Sequence, residues 1–330
     1  MNTTGRLFRV GITGTSRGPG VGAWIEGCPP GIALDEAAIH AQLTRRRPGR
    51  PGTTARREPD EPRILSGVYQ GHTTGQPILV WIDNRDAQND GQAPSAQPRP
   101  GHADLVALQR YGGFADPRGG GAFSGRLTAA LVAAGAVARA LLPAVEIRAR
   151  VLEVGGRRDL DAAVAEAMQA GDSLGGLLEC TLDSVPTGWG EPLLDPIDAR
   201  LAQLCLSIPG VRSFELGAGL ALASMRGSQA NDPILETSGR TATNHAGGVN
   251  GGLSNANPIV FRVATRPTPS IATPQNTVDM GTGLPTTTSS STGRHDACFA
   301  LRLPVVLEAA AAIVLADFML LARAGSVQER

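Results

Sequence analysis

RPGHADLVALQRYGGFADPRGGGAFSGRLTAALVAAGAVARA, residues Arg99–Ala140, holds a Pro-Gly turn, a His-Ala-Asp triplet, three consecutive glycines and a long Ala/Val/Leu run. Gly119, Gly120 and Gly121 permit positive φ or a close backbone approach. Ser124 and Thr128 stand where the apolar run begins, and unpaired N–H groups and the helix dipole favour an anion at such a helix start. Arg118 and Arg126 flank the turn with fixed positive charge. Two readings follow: an anion site at a loop-to-helix junction, or a tight turn leading into a core helix.

The rest of the composition bears on the choice. The 330 residues are 42% hydrophobic, enough for a sizeable core. Formal net charge is zero, so the balance carries no signal for nucleic acid or a membrane surface. The chain contains no lysine, so all 30 strongly basic residues are arginine. High-GC coding explains this without function; where arginines cluster, the planar guanidinium fork can grip phosphate or carboxylate bidentately. Cys28, Cys180, Cys205 and Cys298 are scattered, with no C-x-x-C and no metal spacing, and read as reduced thiols of a cytoplasmic protein. The N-terminus lacks an apolar signal-peptide core. The longest apolar run, Pro304–Ala324, is interrupted by Glu308 and Asp317 and reads as a buried helix, not a membrane span.

Along the chain, strands are expected at Leu7–Thr13, Gly22–Gly27, Ile64–Gly67 and Ile78–Ile82, with a helix over Asp35–Leu43. Arg45, Arg46 and Arg47 repel one another unless they are solvated or face an anion. Residues 84–98 lack periodicity and read as a flexible loop, as do the low-complexity residues 281–292. Strand, proline turn, Leu-Asp and amphipathic helix occur at Trp24–Leu43 and again at Leu178–Leu204. This echo predicts a pseudo-duplicated α+β fold within one domain spanning 1–330. The glycine-rich stretch around Gly251 lacks the spacing of a dinucleotide-binding turn. Arg266-Pro267-Thr268-Pro269-Ser270 combines rigid φ angles, hydroxyls and a cation, which suits a second anion contact.

Taken together and in order, these blocks resemble chorismate synthase. The resemblance is carried by Gly27-Cys28-Pro29-Pro30-Gly31, RRRPG at 45–49, RREPD at 56–60, ILSG at 64–67, RPGHAD at 99–104, GSQ at 227–229, NHAGG at 244–248, PTPSI at 267–271 and GRHD at 293–296. It implies a β-α-β sandwich, usually a homotetramer, that binds reduced FMN and eliminates phosphate from 5-enolpyruvylshikimate 3-phosphate to give chorismate. By motif, His102 would sit at the flavin and help to protonate it, and Asp296 would act in proton transfer near flavin N5. Arg46, Arg47, Arg99 and Arg126 would hold substrate phosphate and carboxylates. Ser124, Gly251, Arg266, Pro267, Thr268, Pro269, Ser270 and Arg294 match flavin-contacting positions, with Pro209 and Gly210 close by. Without the resemblance, the favoured readings are His102 as a hydrogen-bonded structural histidine and Asp296 as a cap of the last helix. No flavin-reductase segment is recognisable, so reducing equivalents are expected from an external reductant.

The sequence departs from the family pattern at its chemistry. The family's G-E-S-H-G loop is Gly14-Thr15-Ser16-Arg17-Gly18 here, and arginine cannot release a proton at neutral pH. Ala122, Phe123 and Leu127 replace Arg, Ser and Glu in the family's glycine-rich turn, removing a cation beside the flavin. Three functions stay open on these residues. They are the family reaction with Arg17 acting by charge, a paralogue turned to another shikimate-derived acid, and a non-catalytic flavin-binding or assembly homologue.

Overall fold

Alternating apolar and small residues build the first sheet. Its strands are β1 (Thr3–Thr4), β2 (Arg9–Gly14), β3 (Gly20–Glu26), β4 (Pro62–Ser66) and β5 (Ile78–Asp83), ordered β1-β2-β3-β5-β4 with every pair antiparallel. The computed structural model describes residues 2–86, 97–116, 118, 120–289 and 295–325. Val21, Ala23, Ile25, Ile78, Val80 and Ile82 alternate onto the inner face and are fully buried. On the outer face the glycines are seats for indoles. A Cβ on Gly11 would lie 2.1 Å from the Trp24 ring, and one on Gly20 or Gly22 2.8 Å from the Trp81 ring.

The helices of two turns or more are α1 (Glu36–Arg46), α2 (Asp104–Tyr111), α3 (Thr128–Ala140), α4 (Leu160–Gln169), α5 (Ile197–Leu206) and α6 (Pro304–Gly325). The second sheet contains β6 (Glu146–Val154), β7 (Gly176–Asp183), β8 (Val211–Leu216) and β9 (Ile259–Thr265), antiparallel in the order β6-β7-β9-β8. Helices α1, α3, α5 and α6 form the layer between the sheets: α3 packs on β3 and α1, α6 on β6 and α5, and α3 on α6.

The expected pseudo-duplication is present in the topology. The series β2-β3-α1-β4-β5-α3 is repeated as β6-β7-α5-β8-β9-α6, and the strand orders β2-β3-β5-β4 and β6-β7-β9-β8 correspond. Even an irregularity recurs: β4 shifts register against β5 between Ile64 and Ser66, and β8 against β9 between Val211 and Ser213.

Several boundaries differ from the sequence reading for identifiable reasons. β2 starts at Arg9, not Leu7, because the amides of Arg6, Leu7 and Phe8 donate to the buried Asp317 carboxylate at 2.7–3.0 Å instead of to a strand. α1 is capped by Asp35, whose Oδ1 accepts from Ala38 N at 2.8 Å, and runs on to Arg46 because its last arginines find carboxylates. Residues 285–288, read as part of a loop, form a strand paired with Gln275–Val278. Of the two expected flexible loops, residues 87–96 and 290–292 lie outside the described residues.

The two acids that interrupt the apolar C-terminal run both have structural partners. Asp317 anchors the N-terminal segment. Glu308, 2% exposed, accepts from Arg45 at 2.5 and 2.7 Å, Arg139 at 3.0 Å and the Ala149 amide at 3.0 Å, joining α1, α3, α6 and β6. Among the described residues, α6 is the one helix long and apolar enough to cross a membrane, and 83% of its apolar window is buried inside the protein.

The halves pack tightly at Gly135 of α3. A Cβ there would lie 2.3 Å from Ala309 Cβ and 2.5 Å from its Cα on α6. Gly135→Val is expected to lower stability by roughly 1–3 kcal/mol through overpacking, read as a lower urea midpoint with an unchanged slope.

Candidate active site

In each half a long connection leads from the last strand into the long helix: residues 84–127 in the first, 266–303 in the second. The two connections meet. His102 Nε2 lies 2.7 Å from Ser270 Oγ, Arg266 Nη1 donates to Gly101 O at 2.8 Å, and Thr277 Oγ1 donates to Pro98 O at 2.5 Å. Gly101 has φ +71°, and a Cβ on it would meet Arg266 Nη2 at 2.4 Å. Glycine is favoured where the first connection meets the second.

Asp60 is fully buried in a left-handed conformation at φ +47°. Its carboxylate takes Arg46 Nη1 at 3.1 Å on one oxygen and Arg126 Nη1 on the other. Arg46 is 4% exposed and Arg126 5%. Arg46 also donates from Nε to Thr128 Oγ1 at 2.9 Å and from Nη2 to Gly125 O at 3.2 Å. The start of α3 thus receives a guanidinium from α1, and Ser124 caps the short turn before it by accepting from Arg126 N at 3.2 Å. Burial and the nearby Arg302 and Arg126 push the Arg46 guanidinium down to about 9, which leaves it cationic at neutral pH. Two guanidiniums against one carboxylate leave one net positive charge in a desolvated place.

The 14–18 loop is tied to the same hub. Ser16 N donates to Gly121 O at 3.1 Å, Gly120 N to Ser16 Oγ at 3.4 Å, and Arg56 Nη2 to Ser16 O at 3.0 Å. Asn84 Nδ2 donates to Thr15 O and Gly18 O at 2.9 Å each, and Asn84 Oδ1 accepts from Arg126 Nε at 2.8 Å. Glu58, 6% exposed, accepts from Arg56 at 2.6 and 2.9 Å and from the Arg85 and Asp86 amides at 2.8 and 3.2 Å.

From the second half, Asp296 accepts from Thr54 N at 2.9 Å and pairs with Arg302 Nη1 at 3.3 Å, while Arg302 Nε donates to Arg46 O at 3.0 Å. Asp296 is not a helix cap: the short turn over Phe299–Arg302 begins after Cys298. Burial, reinforced by Arg99, holds the His102 imidazole down at about 4. His295 is also pushed down, by desolvation, Arg99 and Arg17, with Asp296 opposing. Arg17, Arg99, Asp296, His102 and His295 therefore share one electrostatic field.

The other sequence-derived candidates divide. Arg99 grips Asp104 with Nε and Nη2, both at 2.8 Å. Arg47 turns to His40 Nε2, and its own Nε is buried without a partner among the described residues. The arginine triplet thus faces Glu308, Asp60 and His40 in turn, with Arg45 still exposed and Arg46 buried. Gly210 O accepts from Arg266 N at 3.0 Å, so Pro209-Gly210 adjoins the second connection. Thr268 O accepts from Ser173 Oγ at 2.6 Å and Pro269 O from Gln275 Nε2 at 3.1 Å, fixing the Arg266–Ser270 strip. Thr268 Oγ1 is buried with no partner among the described residues. Gly251 lies in the hairpin between Val249–Asn250 and Leu253–Ser254, ahead of β9. Arg294 lies outside the described residues. Sequence reading missed Asp60, Asn84 and Arg302. The RREPD block held a signal for the first, but Arg302 had none.

A family model described as chorismate synthase matches residues 8–320. The chain belongs to the chorismate synthase family. It is 50% identical to the chorismate synthase of Chitinophaga pinensis, over 97% of both chains. It is 46% identical to that of Aeropyrum pernix, over 98% of this chain and 94% of the relative. A crystal structure of chorismate synthase superposes with a TM-score of 0.77 at 29% identity, covering 98% of this chain and 94% of the other.

The depressed imidazole fixes a sign. Between about pH 6.5 and about pH 4 the unfolded chain binds a proton at residue 102 that the folded chain refuses, so stability falls as pH falls through this window. His102→Gln is expected to flatten that slope in urea titrations at pH 4.5 and 7. An unchanged slope would place the proton uptake elsewhere.

Proposed function

We propose that this member of the chorismate synthase family converts 5-enolpyruvylshikimate 3-phosphate into chorismate and phosphate in the cytoplasm, using reduced FMN supplied by an external reductant. In this reaction a ring C–H bond and the C–O bond to phosphate break, a C=C bond forms, and no net oxidation occurs. The observation that carries the reading is the buried Arg46–Asp60–Arg126 group joined through Arg302 to Asp296, with His295, next to Asp296, acting on the His102 that meets Ser270.

Each chain group has a task in that reaction. The net positive charge at Asp60 attracts phosphate, and its low-dielectric surroundings make the attraction strong. Arg17 adds charge stabilisation to the departing phosphate but no proton. His102 is neutral before substrate arrives, and an incoming anion shifts it towards protonation. Asp296, oriented by the Thr54 amide and Arg302, stands as the carboxylate that accepts or passes on the ring proton. Reduced FMN, when bound, supplies electron density reversibly to the substrate ring. The Arg266–Ser270 strip, with the unpaired Thr268 Oγ1, and Ser124 are the residues that would hold it. Trp24 and Trp81, half-buried on the outer face of the first sheet, favour a further subunit there and with it a homotetramer. Arg17 favours one second reading, turnover of a related shikimate-derived acid.

Anaerobic assay with dithionite-reduced FMN and 5-enolpyruvylshikimate 3-phosphate is expected to yield chorismate and phosphate in equal amounts. Asp296→Asn is expected to lower kcat by about 10²–10⁴ with FMN affinity kept. Flavin binding without either product would favour the second reading.

A further inference from the structure

We propose that Asn84 is a positioning residue for phosphate departure, setting the loop that carries Arg17 in register with Arg126. This rests on the function proposed above. Asn84 follows the last residue of β5, so its backbone is held at the sheet edge, and its amide N–H donates to Pro19 O at 3.0 Å. Its side chain has only one workable orientation. Arg126 Nε can only donate, so Oδ1 must face it; the Thr15 and Gly18 carbonyls can only accept, so Nδ2 must face them. Those carbonyls bracket residue 17. The same amide therefore fixes the backbone on both sides of Arg17 and one edge of the Arg126 guanidinium, whose Nη1 is already committed to Asp60.

No other side chain of this size meets these three demands. Aspartate keeps the bond to Arg126 but sets a carboxylate oxygen against two carbonyl oxygens. Alanine leaves all three groups without this partner. The loop carries the departure from the family's histidine, and a cation acting by charge alone depends on distance. Asn84 sets that distance without touching substrate.

The test is a double-mutant cycle in the FMN-loaded enzyme, with Asn84→Asp, Arg17→Ala and both together, each checked for an intact thermal transition. Asn84→Asp is expected to lower kcat about a hundredfold, the scale of an ångström-sized misplacement, with KM changed less than about threefold. In the Arg17→Ala background it should cost less than about threefold more, since the group it positions is gone. Equal losses in both backgrounds, or an Asn84→Asp enzyme within about threefold of its parent, would overturn the proposal. If the parent forms no chorismate, the functional reading fails and hydrogen exchange decides the positioning. Asn84→Ala should then speed exchange at residues 15–18 and leave α3 protected, while unchanged exchange at 15–18 overturns it. Exchange also decides if Asn84→Asp does not fold.

Discussion

One carboxylate, Asp60, lies without solvent contact between two guanidiniums, and most of the site hangs on that contact. Removing one partner of a buried ionic group leaves an uncompensated charge in low dielectric, typically at a cost of roughly 3–5 kcal/mol. Asp60 precedes β4, Arg46 ends α1, and Arg126 lies in the turn before α3. The triad therefore ties the first sheet to two helices of the central layer. It also sets the charge: a neutral pair would not draw in an anion, whereas two cations on one carboxylate leave an attraction to be satisfied.

The duplicated topology explains why the site lies where it does. Each half would leave one long helix poorly covered, and packing α3 on α6 at Gly135 covers both. That packing brings together the two strand-to-helix connections. The first half supplies the cation hub and the loop with Arg17. The second supplies the Arg266–Ser270 strip and Asp296, with Arg302 joining the sets through the Arg46 carbonyl.

Much of this was legible in the sequence. The Leu-Asp helix starts at residues 34–35 and 194–195 disclosed the repeat because local patterning survives in each half. Glu308 and Asp317 correctly argued against a membrane span, although their partners lie hundreds of residues away in Arg45 and the N-terminal amides. The fate of Arg46 was not legible. A run of three arginines carries no local sign of which one is buried, and the answer depends on a carboxylate in a left-handed turn beyond the next proline. The strand at 285–288 was hidden for the opposite reason: its threonine-rich sequence looks like linker, and pairing with 275–278 is what orders it. Gly251 matched a family position by motif, and the structure sets it in the hairpin ahead of β9.

The most direct test is the unfolding free energy of Asp60→Asn, a change that keeps the side-chain shape and removes the charge. If Asp60 is the contact on which the hub depends, urea titration should show a loss of roughly 3–5 kcal/mol relative to the parent. A loss below about 1 kcal/mol, the scale of an exposed ion pair, would contradict that dependence.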